Sequence, residues 1–187
     1  MEALMARRSV RRWKGEPPSL EKMHEVVRAG MFAASAGNGQ PWRFVIVLDA
    51  PKVAAVTDAL GWLGGEPAED ERPRAHVVVL TPEGASWAAQ ADGAAAAQNM
   101  QLAGVALGLG SCWFGSIKRD AVAKALGIPA KWHIFSIVSF GESAEEPVLE
   151  AGSGRPSRDE AGVLHVPKKP LDEVCSIDKF KEAPSDG

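Results

Sequence analysis

The 187-residue chain has no tyrosine, only two cysteines and four histidines. Cys112 and Cys175 show no metal-ligand spacing, which argues against both a disulfide scaffold and a cysteine-based zinc site. His24, His76, His133 and His165 are scattered, with no pair four apart on one helix, so a histidine metal site is not expected either. His76 and His133 open predicted strands and read as structural. No apolar run reaches the roughly 18 residues needed to cross a bilayer. The basic start is not followed by the apolar core of a secretory signal, so a cytoplasmic setting is expected. Positive charge is not in excess: 21 cations against 24 anions give −3, which offers no support for nucleic-acid binding. There is no Gly-x-Ser-x-Gly nucleophile elbow, and the acidic pairs Glu145-Glu146 and Asp159-Glu160 lie in poorly patterned segments.

What is present is a composition of 45% hydrophobic and 24% charged residues, enough to build a core. Residues 1–7 suggest a short helix with Leu4 and Met5 as its apolar positions, and Ser9 to Trp13 an extended stretch with Ser9, Arg11 and Trp13 on one face. Ser19 caps an amphipathic helix over 19–32, carried by Met23, Val26, Val27, Gly30 and Met31. Trp42 opens a strand to Leu48. Asp49 and Pro51 start a helix to about Leu60. Residues 61–74 read as an exposed loop, 76–80 as a buried strand, and 86–108 as an Ala-rich central helix ended by Gly108 and Gly110. A helix over 118–126 and a strand over 134–140 follow. Residues 141–170 read as an extended connection. Helices and strands mix without βαβ alternation, so the fold class is α+β.

Four segments can carry chemistry. Arg7-Arg8-Ser9-Val10-Arg11 suits a phosphate monoester, because guanidinium forks supply paired donors and charge; a solvated basic turn, or a nucleic-acid arm with Arg12 and Lys14, is the alternative. Ala33 to Trp42 reads Ala-Ala-Ser-Ala-Gly-Asn-Gly-Gln-Pro-Trp. This turn exposes backbone N–H groups beside hydroxyl and amide donors, or else is a plain helix cap with Gly37 or Gly39 left-handed. Gly108 to Ser116 is a glycine-rich segment around Trp113-Phe114-Gly115. It is no dinucleotide fingerprint, since no strand precedes its glycines and no helix directly follows; otherwise it is a helix end and a buried strand. Lys168-Lys169-Pro170-Leu171 adds late cations. Asp92, on the Ala-rich helix, faces a ligand edge, the core or a solvated interface, with nothing in the sequence to choose among them. Trp62, Trp87, Trp113 and Phe114 are the aromatic walls on offer, each equally suited to core packing.

In order and spacing these segments resemble the nitroreductase family of FMN-dependent oxidoreductases, over residues 4 to about 175. The resemblance implies a mixed sheet flanked by helices in an intertwined homodimer, with one domain over 1–175, a tail over 176–187, and FMN at the subunit interface. It implies that Arg7, Arg8, Ser9 and Arg11 hold the FMN phosphate, ribityl chain and pyrimidine edge. Ala34, Ser35, Ala36 and Asn38 form the turn laid against the partner's flavin. Trp113, Phe114, Gly115 and Ser116 run along the isoalloxazine, with the Gly115 N–H facing N5. Lys168 or Lys169 replaces a phosphate-binding arginine. NADH or NADPH is the implied electron donor in a ping-pong cycle, and nitroaromatics or quinones the acceptors. No catalytic side chain is implied, since the hydride chemistry belongs to the cofactor. The turn begins Ala33-Ala34 where the family often has Ala-Pro, and the 61–74 segment is short, which implies an open pocket. A specialised relative (flavin cleavage, dehalogenation or azoline oxidation) and a flavin-binding protein without turnover are the alternatives.

Overall fold

The structure is a computed structural model that describes residues 1–62, 65–180 and 182. Leu63 and Gly64, within the expected loop, and most of the tail after Phe180 lie outside the described residues. The chain divides into two compact units, 1–144 and 145–187. The first opens with α1 (Glu2–Ala6), β1 (Trp13–Lys14) and α2 (Leu20–Met31). Then come β2 (Arg43–Val47), α3 (Ala50–Thr57), β3 (Ala75–Pro82) and α4 (Trp87–Ala106). The unit closes with β4 (Gly110–Phe114), α5 (Arg119–Leu126) and β5 (Trp132–Ser143).

Every named strand pair in its five-stranded sheet is antiparallel. β5 organises it: β3 pairs along its length, β4 pairs residues 137–141, and β1 pairs residues 142–143. The pairing with β1 extends β5 past the expected end at 140. The centre of β3, Val77 to Leu80, is an unbroken apolar run because the sheet is covered on both faces. Val78 and Leu80 pack with Val53 and Val56 of α3 and Val122 of α5, while Val77 and Val79 pack with Met23 and Val26 of α2 and Met100 of α4. Small residues let α4 lie close to the sheet: a Cβ on Gly104 would stand 3.1 Å from Phe140 Cε1. Ser19 caps α2 through the Lys22 N–H, as expected. Met31, expected on the buried face of α2, is exposed at the helix end, whereas Gly30 beside it is buried against α4.

His76 is a structural residue. It is fully buried, and its Nδ1 lies 2.8 Å from Ser139 Oγ and its Nε2 3.0 Å from Thr57 Oγ1. The Thr57 hydroxyl donates to the Val53 carbonyl at 2.8 Å, which leaves Nε2 to carry the ring proton. Burial pushes its pKa down to about 4, so it is neutral at neutral pH.

Residues 141–170 are not the expected extended connection. After β5, the second unit forms β6 (Val148–Ala151), β7 (Ser157–Arg158) and β8 (Leu164–Lys168), joined in the order β6-β8-β7, and then α6 (Leu171–Val174). These strands show no apolar alternation because the unit buries little: among the described residues its one buried apolar side chain is Leu164. Polar contacts hold it instead. Arg158 bonds Glu145 at 2.5 Å, and His165 lies between Glu150 (3.0 Å) and Asp159 (3.3 Å). Those carboxylates raise the His165 pKa, while the Val163 N–H, first, and His165 lower that of Asp159. Among the described residues no helix is long and apolar enough to cross a membrane.

Candidate functional site

The Arg7–Arg11 segment is strapped to the sheet by backbone and core contacts. α1 ends as the Arg7 N–H bonds the Ala3 carbonyl, and the chain then extends, with Ser9 bridging Ser111 in parallel. The Val10 N–H donates to the Ser111 carbonyl at 2.9 Å, and the Trp13 indole N–H to the Gly110 carbonyl at 3.1 Å. Val10 and Trp13 both enter the core, so the expected strict alternation with Ser9, Arg11 and Trp13 on one face is not kept; the chain turns between two anchors three residues apart. Gly110 is required here, since a Cβ would meet Val10 at 3.0 Å.

The strap gathers three arginines, Arg7, Arg8 and Arg11, within five residues. Arg8 Nη1 donates to the carbonyls of Met5 (2.6 Å) and Arg7 (2.8 Å), while its buried Nε has no partner among the described residues. Arg11 Nη1 reaches the Ser9 carbonyl at 3.4 Å. Desolvation, then the neighbouring Arg8 charge, push the half-buried Arg7 below the usual guanidinium range, and only Cys112 acts the other way. A half-buried arginine pressed by a neighbouring like charge is a site that an anion completes.

β4 carries this strap toward the Trp113–Ser116 loop. Four residues separate Ser111 from Gly115, about 13 Å of extended chain. Trp113 is half-buried, 6.3 Å from Phe135 between ring centroids, whereas Phe114 is buried edge-on to Trp62 at 4.8 Å. Phe114 and Trp62 are therefore core residues, and Phe114 has its backbone to offer a ligand. Trp87 is exposed at the start of α4. Gly115 and Ser116 are exposed, and a Cβ on Gly115 would meet nothing within 4 Å. The loop is fixed from both sides. Arg119 donates from Nε to the Ile134 carbonyl (2.8 Å) and from Nη2 to the Gly115 carbonyl (3.3 Å). Opposite, the Gly61 N–H bonds the Ser116 carbonyl at 2.9 Å and the Lys118 N–H the Ala59 carbonyl at 2.8 Å. No titratable side chain occurs between Trp113 and Ser116, so this loop offers backbone dipoles rather than proton transfer.

The Ala34–Gln40 turn is held differently. It lies beyond the end of α2 as an exposed turn with three left-handed residues, Gly37 (φ 56°), Asn38 (φ 55°) and Gln40 (φ 43°), so Gly39 is not one of them. Two of these are not glycine, and such strain persists only where surroundings enforce it. Ser35 Oγ accepts the Gln40 N–H at 3.2 Å, and Asn38 Oδ1 accepts from Gln40 Nε2 at 3.2 Å. Asp92 of α4 accepts the Ala36 N–H with both oxygens, at 3.1 and 3.3 Å. Asp92 thus faces neither core nor open cleft; it grips the turn.

Lys168 ends β8, where its carbonyl accepts the Gly152 N–H, and Lys169 pairs with Glu173 at 3.8 Å; both belong to the second unit. Two clefts, of about 480 and 360 Å³, are lined from 15–17, 48–57 and 69–74 and from 45–49 with Lys52 and Leu126, and neither includes any expected site residue. Among the described residues no group of His, Cys, Asp or Glu could hold a metal ion. Asp92 and Arg119 escaped sequence reasoning as holders of backbone. The available signal for Asp92 was that it is the one charged residue in the twenty of α4.

A sequence model described as the Nitroreductase family matches residues 4–142. A protein of Archaeoglobus fulgidus, named as a candidate NADH dehydrogenase/NAD(P)H nitroreductase, is 33% identical over 153 residues, covering 78% of this chain and 86% of its own. A 5,6-dimethylbenzimidazole synthase of Rhodospirillum rubrum is 27% identical over 77% of this chain and 82% of its own. A solved structure of a candidate nitroreductase in complex with FMN, from Desulfovibrio desulfuricans, superposes with a TM-score of 0.69 at 25% identity, covering 96% of each chain.

Proposed function

This chain belongs to the nitroreductase family and is an oxidoreductase, and from that premise we propose that it is an FMN-dependent, cytoplasmic homodimer. It takes electrons from NADH or NADPH and passes them, in a ping-pong cycle, to electron-poor acceptors such as nitroaromatics or quinones. The observation that carries this reading is the adjacent Arg7 and Arg8, the first half-buried and the second with a buried Nε unpartnered among the described residues, on the strap that bridges to the strand leading to Gly115. The FMN complex of the Desulfovibrio relative supports the same cofactor here.

The residues present fit the group. Arg7, Arg8, Ser9 and Arg11 would hold the phosphate, ribityl chain and pyrimidine edge. Trp113 to Ser116 would line the ring, with the Gly115 N–H toward N5. Ala34, Ser35, Ala36 and Asn38 would serve the partner's flavin, and Lys168 or Lys169 would add charge at a phosphate. When bound, FMN supplies the two-electron chemistry: it accepts a hydride from the nicotinamide and returns electrons to the acceptor. The chain's own work is to orient the ring by backbone dipoles, to neutralise the phosphate and to leave an open face. Residues 1–175 act as the FMN-binding domain, with 176–187 as a tail. Exposed Leu4, Met5, Met31 and Phe32 support the homodimer, since large apolar side chains left in water favour a partner surface.

The half-reactions test this. Under anaerobic conditions NADH or NADPH alone should bleach the bound flavin, and a quinone or nitroaromatic added afterwards should restore its colour. Initial-rate patterns that intersect, rather than run parallel, would contradict the ping-pong cycle. The similarity to the Rhodospirillum synthase favours a second reading, a specialised relative. In that case NADH consumption would not be matched by acceptor turnover.

A further inference from the structure

α4 has twenty residues and a single charge, Asp92. A lone carboxylate on an otherwise uncharged helix beside a core is costly unless something occupies its lone pairs. Here both oxygens take the Ala36 N–H, 56 positions earlier in the chain. Seven residues further on, and so on the same helical face, Asn99 Nδ2 donates to the Ala29 carbonyl at 3.2 Å, in the last turn of α2. Between them α4 lies close to α2: a Cβ on Gly30 would stand 3.4 Å from the Ala96 carbonyl oxygen. Two polar contacts thus fix the end of α2 and the turn beyond it to one helix face. The turn needs such a hold: it is exposed, it lacks apolar anchors, and it keeps Asn38 and Gln40 left-handed.

We propose that Asp92 is the positioning residue of the Ala34–Gln40 turn, setting its N–H groups and the Ser35 hydroxyl in place before a ligand arrives. With the flavin reading above, on which this second step rests, Asp92 contributes to FMN affinity without touching the cofactor, by removing the ordering cost of the turn. A charged acceptor suits the task, because a carboxylate holds a backbone N–H more strongly than a neutral group does.

The test uses the full chain without and with FMN. In the unsubstituted protein the Ala36 amide should be protected from exchange both without and with FMN. Asp92→Ala should speed Ala36 amide exchange about tenfold, weaken FMN about tenfold and change the visible circular dichroism of the bound flavin. Asp92→Asn, which keeps an acceptor oxygen, should recover most of the affinity. Asn99→Ala should leave Ala36 exchange as it is in the wild type. An Ala36 amide unprotected in the unsubstituted protein, exchange unchanged in Asp92→Ala, or equal acceleration in Asn99→Ala would each overturn the proposal. Should Ala36 respond as expected in a protein that takes up no FMN, the flavin reading falls and the positioning role stands.

Discussion

Two backbone segments proposed to serve FMN are held in place by opposite means. The Arg7–Arg11 strap is pinned by the core: Val10 and Trp13 are buried on either side of Arg11, and backbone bonds tie the strap to β4. The Ala34–Gln40 turn has no buried side chain and hangs on Ser35, Asn38 and Asp92. A strap fixed by apolar burial resists change until the whole sheet gives way. A turn fixed by three polar contacts can be loosened alone. Charge sits on the first, which suits the proposed phosphate cradle, and strain sits on the second.

The largest effect should come from the strap's anchor. Trp13→Ala removes a fully buried indole and its bond to Gly110, and should cost about 3–5 kcal/mol of global stability by denaturant titration. An effect confined to flavin binding would mean that the strap is not part of the core. Acid should act on the same sheet. His76 titrates near 6.5 unfolded but at about 4 when folded, so the unfolded chain binds the extra proton between those values. Stability is then fully present above pH 6.5 and lost as pH falls toward 4, by about 3 kcal/mol. His76→Gln should flatten that slope in a pH series of unfolding curves.

Arg7→Ala should separate charge from scaffold. FMN affinity should drop roughly tenfold to a hundredfold, the scale of a charged hydrogen bond, with unfolding unchanged because no carboxylate loses its partner. Loss of stability in step with affinity would refute the division of labour. The turn should show the smallest and most local effects. Gly37→Ala has open space for its Cβ but a positive φ, so it should cost about 1 kcal/mol. Ser35→Ala should cost about 1 kcal/mol through the Gln40 N–H. Amide exchange should report both at residues 35–40 and leave β4 unchanged.

Much of this was legible in the sequence. Ser19 with the spacing of Met23 and Val26 announced α2; Gly127, left-handed at φ 66°, closed α5 as its position suggested. The arginine cluster, the glycine-rich turn and the Gly-Ser-Cys-Trp-Phe-Gly segment marked the family in their order. The holders of the site were not legible, because Asp92 acts across 56 residues and Arg119 binds carbonyls, and neither leaves a local pattern. Nor was the small sheet of residues 148–168, whose strands are too short and too exposed to alternate. Phe114 and Trp62 showed the limit of composition: an aromatic beside glycines reads equally as wall or as core, and packing made both core.

The account stands most directly on the cofactor. The purified protein, incubated with FMN and freed of excess by dialysis, should keep the visible absorption of bound flavin at close to one per chain, and should lose it on addition of NADH or NADPH without oxygen. Protein that stays colourless after saturating FMN would contradict the central claim.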